Sequence, residues 1–372
     1  MCDRRKPTMR SPFRAASAAL LLAIAVAAAG CSSMGGASTG DAGPTTPKLS
    51  TVTPVDDPRT VTGGSTAVAA RSPIEPVVEG EQVLPTSIID NQGTQVTVAD
   101  TTRILALDIY GSLSRIVFEL GLGDSVVARD VSTAFPEAAD LPVVTENGHD
   151  LNAEAILDIA PTVILTDTSL GPWDVILQMR DAGIPVVVFD SARSTENVDD
   201  LILDVATALG VPDRGTALAQ RTQAAIDDKV AEIAAVAPQD DADRVRMVFL
   251  YVRGQSGVYY MFGEGSGAQS LIASLGGHDV AAEIDWQGMR PVTDEGLIVA
   301  QPELILMMTK GLESVEGIDG LIEAIPALAQ TPAGQNRRIV DMSDTEILSF
   351  GPATADVLDA LAVAVYAPDE AR

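Results

Sequence analysis

The chain has 372 residues and a formal net charge of −28, from 24 basic and 52 acidic side chains. Residues 1–30 hold five of the basic and one of the acidic side chains, so the remainder carries −32. A surface of that charge repels phosphate backbones, which argues against a nucleic-acid-binding protein. Aromatic residues make up only 4%, which favours α/β layers over an aromatic-rich β-sandwich. The two cysteines are Cys2 and Cys31, so nothing after residue 31 can form an intramolecular disulfide.

The N-terminal residues have the pattern of a secretory signal. A basic stretch over residues 1–14 precedes an apolar run over 15–29 that is short for a membrane span. The run ends in Ala-Ala-Gly-Cys31, which resembles a bacterial lipobox, in which the cysteine is lipidated before cleavage. We therefore predict a lipoprotein signal peptide over residues 1–30 and a lipid anchor on Cys31. The alternative is an ordinary secretory signal followed by a chance cysteine.

Residues 31–85 are rich in Ser, Thr, Gly, Pro and Ala and have no sustained helical period. Such a composition buries too little apolar surface to fold by itself. The sequence therefore predicts a disordered tether, with a small β-domain as the alternative.

From residue 86 onward, apolar strands alternate with amphipathic segments, which predicts parallel sheets. Residues 213–237 contain no proline and one glycine, and predict a helix of about seven turns. The predicted fold class is α/β, with two Rossmann-like lobes whose mainly parallel sheets are joined by one long helix. The predicted boundaries are 86–205 for the N-terminal lobe, 206–238 for the linker and 239–372 for the C-terminal lobe.

His149 is the first candidate ligand. It is one of only two histidines and follows an Asn147-Gly148 turn, just before a short helix capped by Asn152. This position outside a strand–helix–strand unit is where open α/β sheets bind ligands. The alternative is an ordinary loop histidine that bonds to Asp150 or to solvent. The other histidine, His278, has the context of a surface turn.

Tyr251 and Arg253 are the second candidate pair, at the end of a predicted strand. Residues i and i+2 of a strand point to the same side, so phenol and guanidinium project together. A guanidinium stabilises a phenolate, and tyrosinate is a hard oxygen ligand that suits ferric iron. The alternative is a half-buried tyrosine beside a solvated arginine. Met307 and Met308 end another buried strand, and we expect one to point to each face.

Residues 263–268 match G-x-G-x-x-A, the outline of a dinucleotide fingerprint. Glu264 would place an anion against the pyrophosphate, so a glycine-rich turn into a helix explains the pattern better. The sequence contains no G-x-S-x-G, H-E-x-x-H or Walker A motif. With two histidines in all, most hydrolytic sites cannot be assembled.

Four segments together resemble the haemin-binding lipoproteins of actinobacterial haem ABC importers, within the helical-backbone class of substrate-binding proteins. They are ILALDIYGSLSRIVFELGLGD, VTENGHDLNAEAILDIAPTVILTDTSLGPWDV, VFLYVRG and ELILMMTKGLES. The resemblance covers about residues 86–366. It implies a lipid-anchored extracytoplasmic receptor at the cell membrane, which is not an enzyme and hands ferric haem (haem b as cargo) to an ABC permease and its ATPase.

The resemblance also implies roles for individual residues. His149 and Tyr251 match the two axial ligands of haem iron, Arg253 matches an arginine that supports the tyrosine, and Met308 matches a methionine near the haem. In the wider class, an acidic residue on each lobe docks onto arginines of the permease. Glu154 matches that of the first lobe, and Glu264 is the candidate for the second.

Two other classes of function stay open at this stage. The same architecture could receive a ferric siderophore or a corrinoid, although a histidine–tyrosine pair on facing lobes is harder to explain there. An enzyme could be a dinucleotide-dependent oxidoreductase that uses residues 263–268, or a peroxidase-like haem protein. A peroxidase needs an open iron face, which two protein ligands do not leave.

Overall fold

Strands and helices alternate through most of the chain. A computed structural model describes residues 45–372. The strands in this range are β1 Ser65–Ala67, β2 Thr86–Ile89, β3 Gln95–Val98, β4 Ile104–Leu107, β5 Val126–Ala128, β6 Thr145–Glu146, β7 Asp150–Leu151, β8 Val163–Thr166, β9 Val186–Val188, β10 Arg246–Arg253, β11 Val258–Phe262, β12 His278–Asp279, β13 Met289–Pro291, β14 Leu304–Met308 and β15 Ile339–Met342. The helices are α1 Ser112–Val117, α2 Ala153–Ile159, α3 Trp173–Asp181, α4 Val198–Ala208, α5 Pro212–Val236, α6 Ala268–Ser274, α7 Val280–Glu283, α8 Asp294–Ala300, α9 Thr309–Glu313, α10 Ile318–Ala324, α11 Pro332–Asn336 and α12 Thr354–Tyr366.

The N-terminal lobe is built on a parallel sheet with the strand order β5-β4-β8-β9. Every residue of β4, β8 and β9 is buried, as expected for a parallel sheet covered by helices on both faces. The near-continuous runs of aliphatic residues in these strands therefore follow from their position. Strands β2 and β3 form an antiparallel hairpin that turns near residue 92.

The C-terminal lobe is built on a larger sheet with the order β1-β15-β14-β10-β11-β13. The strands β1, β15, β14 and β10 are parallel, whereas β11 and β13 add to one side in antiparallel pairing. Both sheets are thus mainly parallel, and the predicted fold class is confirmed.

Helix α5 joins the two lobes. It has 25 residues and begins at Pro212, whose missing N–H costs nothing at a first helical position. It packs against α4 of the N-terminal lobe and α12 of the C-terminal lobe. Lys229 on α5 lies 2.6 Å from Asp359 on α12. The predicted linker range of 206–238 is slightly too long, because residues 206–208 still belong to α4.

The structure differs from the predicted tether over residues 45–85. Strand β1 lies within this segment and pairs with β15, with Ser65 and Ala67 buried. Leu49 is also buried, and its backbone N–H donates to Asp359. The segment is ordered through backbone bonds to an existing sheet and not through a core of its own, which explains why it lacks an amphipathic period. The prediction is therefore wrong for this part.

After β1 the chain crosses from the C-terminal to the N-terminal lobe. There the backbone N–H of Val77 donates to the carbonyl of Glu119 at 2.7 Å, and that of Val83 donates to Gly210 at 2.8 Å. The described lobes are thus joined by this segment as well as by α5. The predicted signal peptide, Cys31 and residues 32–44 lie outside the described residues. Among residues 45–372, no helix combines the length and apolar character needed to span a membrane.

Candidate functional site

His149 lies on a tight hairpin of the N-terminal lobe. Strands β6 and β7 pair in antiparallel register, with Asn147 and Gly148 at φ values of 47° and 95° between them. Asn and Gly tolerate this left-handed backbone better than other residues, which is why this dipeptide makes such turns. The predicted turn is confirmed, and it places His149 at the end of the hairpin.

The imidazole of His149 is half-buried, and its Nδ1 atom is buried with no hydrogen-bond partner among the described residues. Burial lowers the pKa of His149 below its usual 6.5, and the charges of Arg253 and Lys310 lower it further. Asp344 and Asp150 act in the opposite direction. The side chain is therefore neutral at physiological pH, with a nitrogen lone pair available to a ligand.

Tyr251 and Arg253 lie at the carboxyl end of β10, in the opposite lobe. Their side chains are on the same side, as predicted, because Arg253 Nε donates a hydrogen bond to the Tyr251 hydroxyl. The guanidinium carbon lies 5.3 Å from the centre of the Tyr251 ring. A cation bonded to the phenol oxygen stabilises the anionic form that a ferric ion requires.

An aromatic stack holds the Tyr251 ring. Its centroid lies 6.0 Å from that of Phe262 at an interplanar angle of 24°, and Phe262 in turn stacks on Phe249 at 5.0 Å. Met308 is half-buried and packs against the same core cluster as Tyr251, whereas Met307 is fully buried in the other cluster of this lobe. The two methionines thus point to opposite faces of the sheet, as predicted.

Lys310 and Asp344 are part of this site, but the sequence analysis missed them. Lys310 lies just after β14, and its backbone N–H donates to Asp344, just after β15, at 3.0 Å. The charges of both side chains act on the pKa of His149 in the other lobe. Carboxyl ends of neighbouring parallel strands meet at one edge of a sheet, so this rule could have identified both residues.

The site thus combines a neutral imidazole from one lobe with a phenol–guanidinium pair from the other. Within the described residues, no group of three or more His, Cys, Asp or Glu side chains could hold a bare metal ion. Histidine and tyrosine are each known ligands of an iron ion whose other positions are filled by a macrocycle.

The glycines of residues 263–268 have structural explanations. A Cβ on Gly263 would lie 1.9 Å from the carbonyl oxygen of Trp286, and one on Gly267 would lie 2.8 Å from that of Arg193. Gly265 and Gly267 also have φ values of 80° and 84°. The preceding strand, β11, pairs in antiparallel register with both neighbours, unlike the strand that opens a dinucleotide-binding unit. The segment is a turn between β11 and α6. His278, the other histidine, forms a 2.7 Å contact with Glu283.

Glu154 is exposed on the first turn of α2, whose N-cap Asn152 accepts a hydrogen bond from Ala155 N–H at 3.0 Å. The sequence predicted this cap. Glu264 is also exposed, and its carboxylate accepts a hydrogen bond from the side-chain amide of Gln287.

The two lobes contain an internal repeat around α2 and α8. Residues 151–166 align without gaps with residues 292–307, and in this alignment α2 corresponds to α8 and strand β8 to strand β14. Each helix has a side-chain N-cap and a left-handed C-cap that is followed by proline. The repeat matches Glu154 with Glu295, which is also exposed on the first turn of its helix. Glu264 has no such relation to Glu154.

Two α/β lobes that are joined by a long helix and both contribute to one site are the architecture of an extracytoplasmic substrate-binding protein. A family model described as periplasmic binding protein matches residues 109–345, and the chain belongs to this family. The family consists of substrate carriers and not of enzymes.

The chain is also similar to individual proteins. The crystal structure of the haem-binding protein HmuT is 41% identical, covers 83% of this chain and 99% of that chain, and has a TM-score of 0.77. The ABC transporter substrate-binding lipoprotein YvrC of Bacillus subtilis (strain 168) is 25% identical over 293 residues, 77% of this chain and 87% of YvrC. A cobalamin-binding protein of Halobacterium salinarum (strain ATCC 29341 / DSM 671 / R1) is 28% identical over 232 residues, 60% of this chain and 58% of that protein.

Proposed function

We propose that this protein is a lipid-anchored receptor that binds ferric haem between its lobes and delivers it to an ABC permease. The observation that carries the proposal is that both lobes contribute to one site: the charge of Arg253, whose guanidinium is bonded to the Tyr251 hydroxyl of one lobe, acts on the half-buried His149 of the other. The cargo is haem b, with iron bound by His149 on one axial face and Tyr251 on the other. Met308 contacts the macrocycle.

Each residue has a distinct part in capture. Burial keeps His149 neutral, so that it can bind iron without first losing a proton. Arg253 stabilises the phenolate of Tyr251, and an anionic oxygen ligand favours Fe(III) over Fe(II). The cargo therefore stays oxidised while it is carried.

The comparisons support this proposal. HmuT has been solved with alanine in place of a histidine, of a tyrosine, and of the arginine two positions after that tyrosine. This chain has the same three residue types, with the same spacing between Tyr251 and Arg253. The similarity to a cobalamin-binding protein is lower and favours a corrinoid as the second candidate ligand. A ferric siderophore is a further alternative in this architecture.

A spectral titration with haemin tests the function. The protein should begin shortly after residue 31, because β1 and its neighbours belong to the fold. We expect one haem per protein, a Soret band and a tyrosinate-to-iron charge-transfer band. Cyanocobalamin serves as the competitor. Displacement of haemin by cyanocobalamin, or no binding of haemin, would contradict the proposal and favour the corrinoid alternative or another ligand.

The lipid anchor is the part of the proposal that depends on Cys31. We expect Cys31→Ser to release the protein from the membrane into the medium, because the thioether cannot form on serine. The haem spectrum should be unchanged, since Cys31 is not one of the residues proposed to bind haem. Fractionation of cells that express the parent and the variant checks this. Retention of the variant in the membrane fraction would show that another feature anchors the protein.

Glu154 is our proposed contact with a basic surface of the permease, together with one acidic residue of the second lobe. The sequence analysis named Glu264 for that lobe, but the internal repeat favours Glu295. We expect Glu154→Arg to leave haem binding intact and to abolish haem-dependent ATPase stimulation, because attraction becomes repulsion. As a helix-dipole partner Glu154 contributes only about 0.3–1 kcal/mol, so the fold should survive.

The same measurements distinguish the two candidates of the second lobe. Glu295→Arg should reproduce the loss of stimulation, with Glu264→Arg as the matched control on the same lobe. Loss of ATPase stimulation in the Glu264 variant alone would support Glu264, and not Glu295, as the docking residue of the second lobe. Loss of haem binding in the Glu154 variant would contradict a docking role.

A further inference from the structure

A short segment ties the two lobes together in addition to α5. Strand β1 on the C-terminal lobe ends at Ala67, which pairs with Met342 of β15. The carbonyl of Ser72 already accepts a hydrogen bond of 3.0 Å from Arg115 of α1, on the N-terminal lobe. An extended chain spans at most about 3.6 Å per residue, so the chain from Ala67 to Ser72 reaches at most about 18 Å. We call residues 68–77 the strap, and its length limits how far its two attachment points can separate.

The attachment to the C-terminal lobe is made through a buried guanidinium as well as through strand pairing. Arg338 is 2% exposed, and it donates from Nη1 to the Ser65 hydroxyl at 3.0 Å. From Nη2 it donates to the carbonyls of Ala364 and Val365 at the end of α12, at 2.8 and 3.0 Å. A buried guanidinium that lost these acceptors would be strongly unfavourable, so β1 is held in place before the strap begins.

The attachment to the N-terminal lobe depends on one buried carboxylate. Glu119 lies just after α1 and is 3% exposed. Its Oε2 atom accepts bonds from the backbone N–H of Glu75 in the strap at 3.2 Å and from Arg221 of α5 at 2.8 Å. Its Oε1 atom accepts a bond from Arg115 at 3.1 Å, and its main-chain carbonyl accepts one from the N–H of Val77 at 2.7 Å. Charge-assisted hydrogen bonds are stronger than neutral ones, so Glu119 fastens both the strap and α5 to this lobe.

Two cavities lie along the strap. One of about 120 Å³ is lined by residues 69–71, and another of about 250 Å³ is lined by residues 72, 73 and 75. Both lobes also line each cavity: Tyr110 and Glu346 line the first, and Glu119 and Pro352 line the second. A void removes packing contacts from the atoms that line it, so close packing does not hold the lobes together at this place.

We propose that the strap, fastened by Glu119, limits how far the two lobes move apart. Domains that share a small interface move relative to each other by default. A second crossing of fixed length removes part of that freedom, because a rotation that exceeds its reach breaks the bonds at one end. This inference concerns the lobes themselves, and only its consequence for haem exchange rests on the proposed function.

The test measures the distance between the lobes with spin labels. The protein that begins after Cys31 contains no cysteine, so Asp158→Cys and Val299→Cys together provide one labelling position on each lobe. Both positions are exposed, and the repeat matches them to each other. Pulsed electron–electron double resonance on the ligand-free protein then gives the distribution of distances between the lobes.

An insertion of about eight Gly and Ser residues between Arg71 and Ser72 lengthens the strap without removing any side chain. We expect it to broaden the distance distribution and to shift it to longer distances. The matched control carries the same insertion between Gln92 and Gly93, in a turn within the N-terminal lobe, and should keep the parent distribution. A parent distribution in the strap insertion would overturn the proposal, because α5 would then hold the lobes without the strap. Equal broadening by both insertions would overturn it as well.

Glu119→Gln tests the fastening of the strap. A carboxamide has one acceptor oxygen and no charge, so it cannot accept all the bonds that the carboxylate accepts. We expect a broader distance distribution than in the parent. Asp90→Asn is the matched control, because Asp90 is also buried and pairs with Arg180 at 3.0 Å, but within the N-terminal lobe. Equal effects of the two variants, or no effect of Glu119→Gln, would overturn the role of Glu119.

Haemin release tests the consequence for the proposed function. The strap insertion should release bound haemin to apomyoglobin faster than the parent, with an unchanged tyrosinate band, because the lobes that hold the two iron ligands separate more easily. Release at the parent rate would overturn this consequence. If the parent bound no haemin, the proposed function would fail, whereas the distance measurements would still decide the role of the strap.

Discussion

Tyr251→Phe should abolish the tyrosinate charge-transfer band and weaken haemin binding more than any other single change in the cleft. The variant keeps the aromatic ring that stacks on Phe262 and removes only the oxygen that binds iron. Replacing an outer partner of a metal ligand typically costs about 10–100-fold in affinity, so loss of the ligand itself should cost more. Haemin titration of parent and variant, followed in the Soret and charge-transfer regions, measures both effects.

Arg253→Ala should have an effect on the charge-transfer band between those of the parent and Tyr251→Phe, and Tyr260→Phe is the control. In the arginine variant the phenolate loses its hydrogen-bonded cation, so the charge-transfer band should form only at higher pH than in the parent. Tyr260 lies opposite Tyr251 on β11, and its replacement should leave the band unchanged. If the band persisted in Tyr251→Phe, the iron would have a different ligand, and the site assignment would be wrong.

His149→Ala should give a five-coordinate ferric haem that is still bound through tyrosinate. The two ligands come from separate lobes, so the loss of one leaves the other in place. The high-spin signature of the variant in electronic and electron paramagnetic resonance spectra distinguishes it from the parent. An unchanged spectrum would show that His149 does not bind the iron.

The parent should also show a characteristic pH dependence that this variant lacks. Burial and the nearby cations lower the pKa of His149 below 6.5, so the neutral imidazole persists as the pH falls through that value. Protonation then removes the histidine at a pH below 6.5, and the parent spectrum changes to that of His149→Ala. A transition at or above pH 6.5 would contradict the described environment of His149.

The residues proposed to bind iron were assigned through the family resemblance, but their local placement could be predicted from short sequence patterns because it depends on local geometry. The Asn147-Gly148 pair fixes the turn that presents His149, and the two-residue period of a strand places Arg253 beside Tyr251. Because side chains alternate between the two faces along a strand, the same period places the adjacent Met307 and Met308 on opposite faces of the sheet. The long helix α5 was equally clear, because its 25 residues contain no internal breaker stronger than one glycine.

The ordered structure of residues 45–85 could not be predicted, because it depends on partners far away in sequence. Strand β1 is three residues long and has no core of its own. It is held by backbone pairing with β15, some 270 residues later in the sequence.

By itself the sequence determined the two α/β lobes and the helix between them, since periodicity and turn chemistry act over a few residues. The iron-binding roles proposed for His149 and Tyr251 came from the resemblance of the sequence to a family. Only the tertiary structure decided which distant residues meet. It placed Lys310 and Asp344 near His149, and it paired strand β1 with β15. The physical reason is that burial and the effect of a charge depend on the surroundings in space, which are set by how the lobes pack.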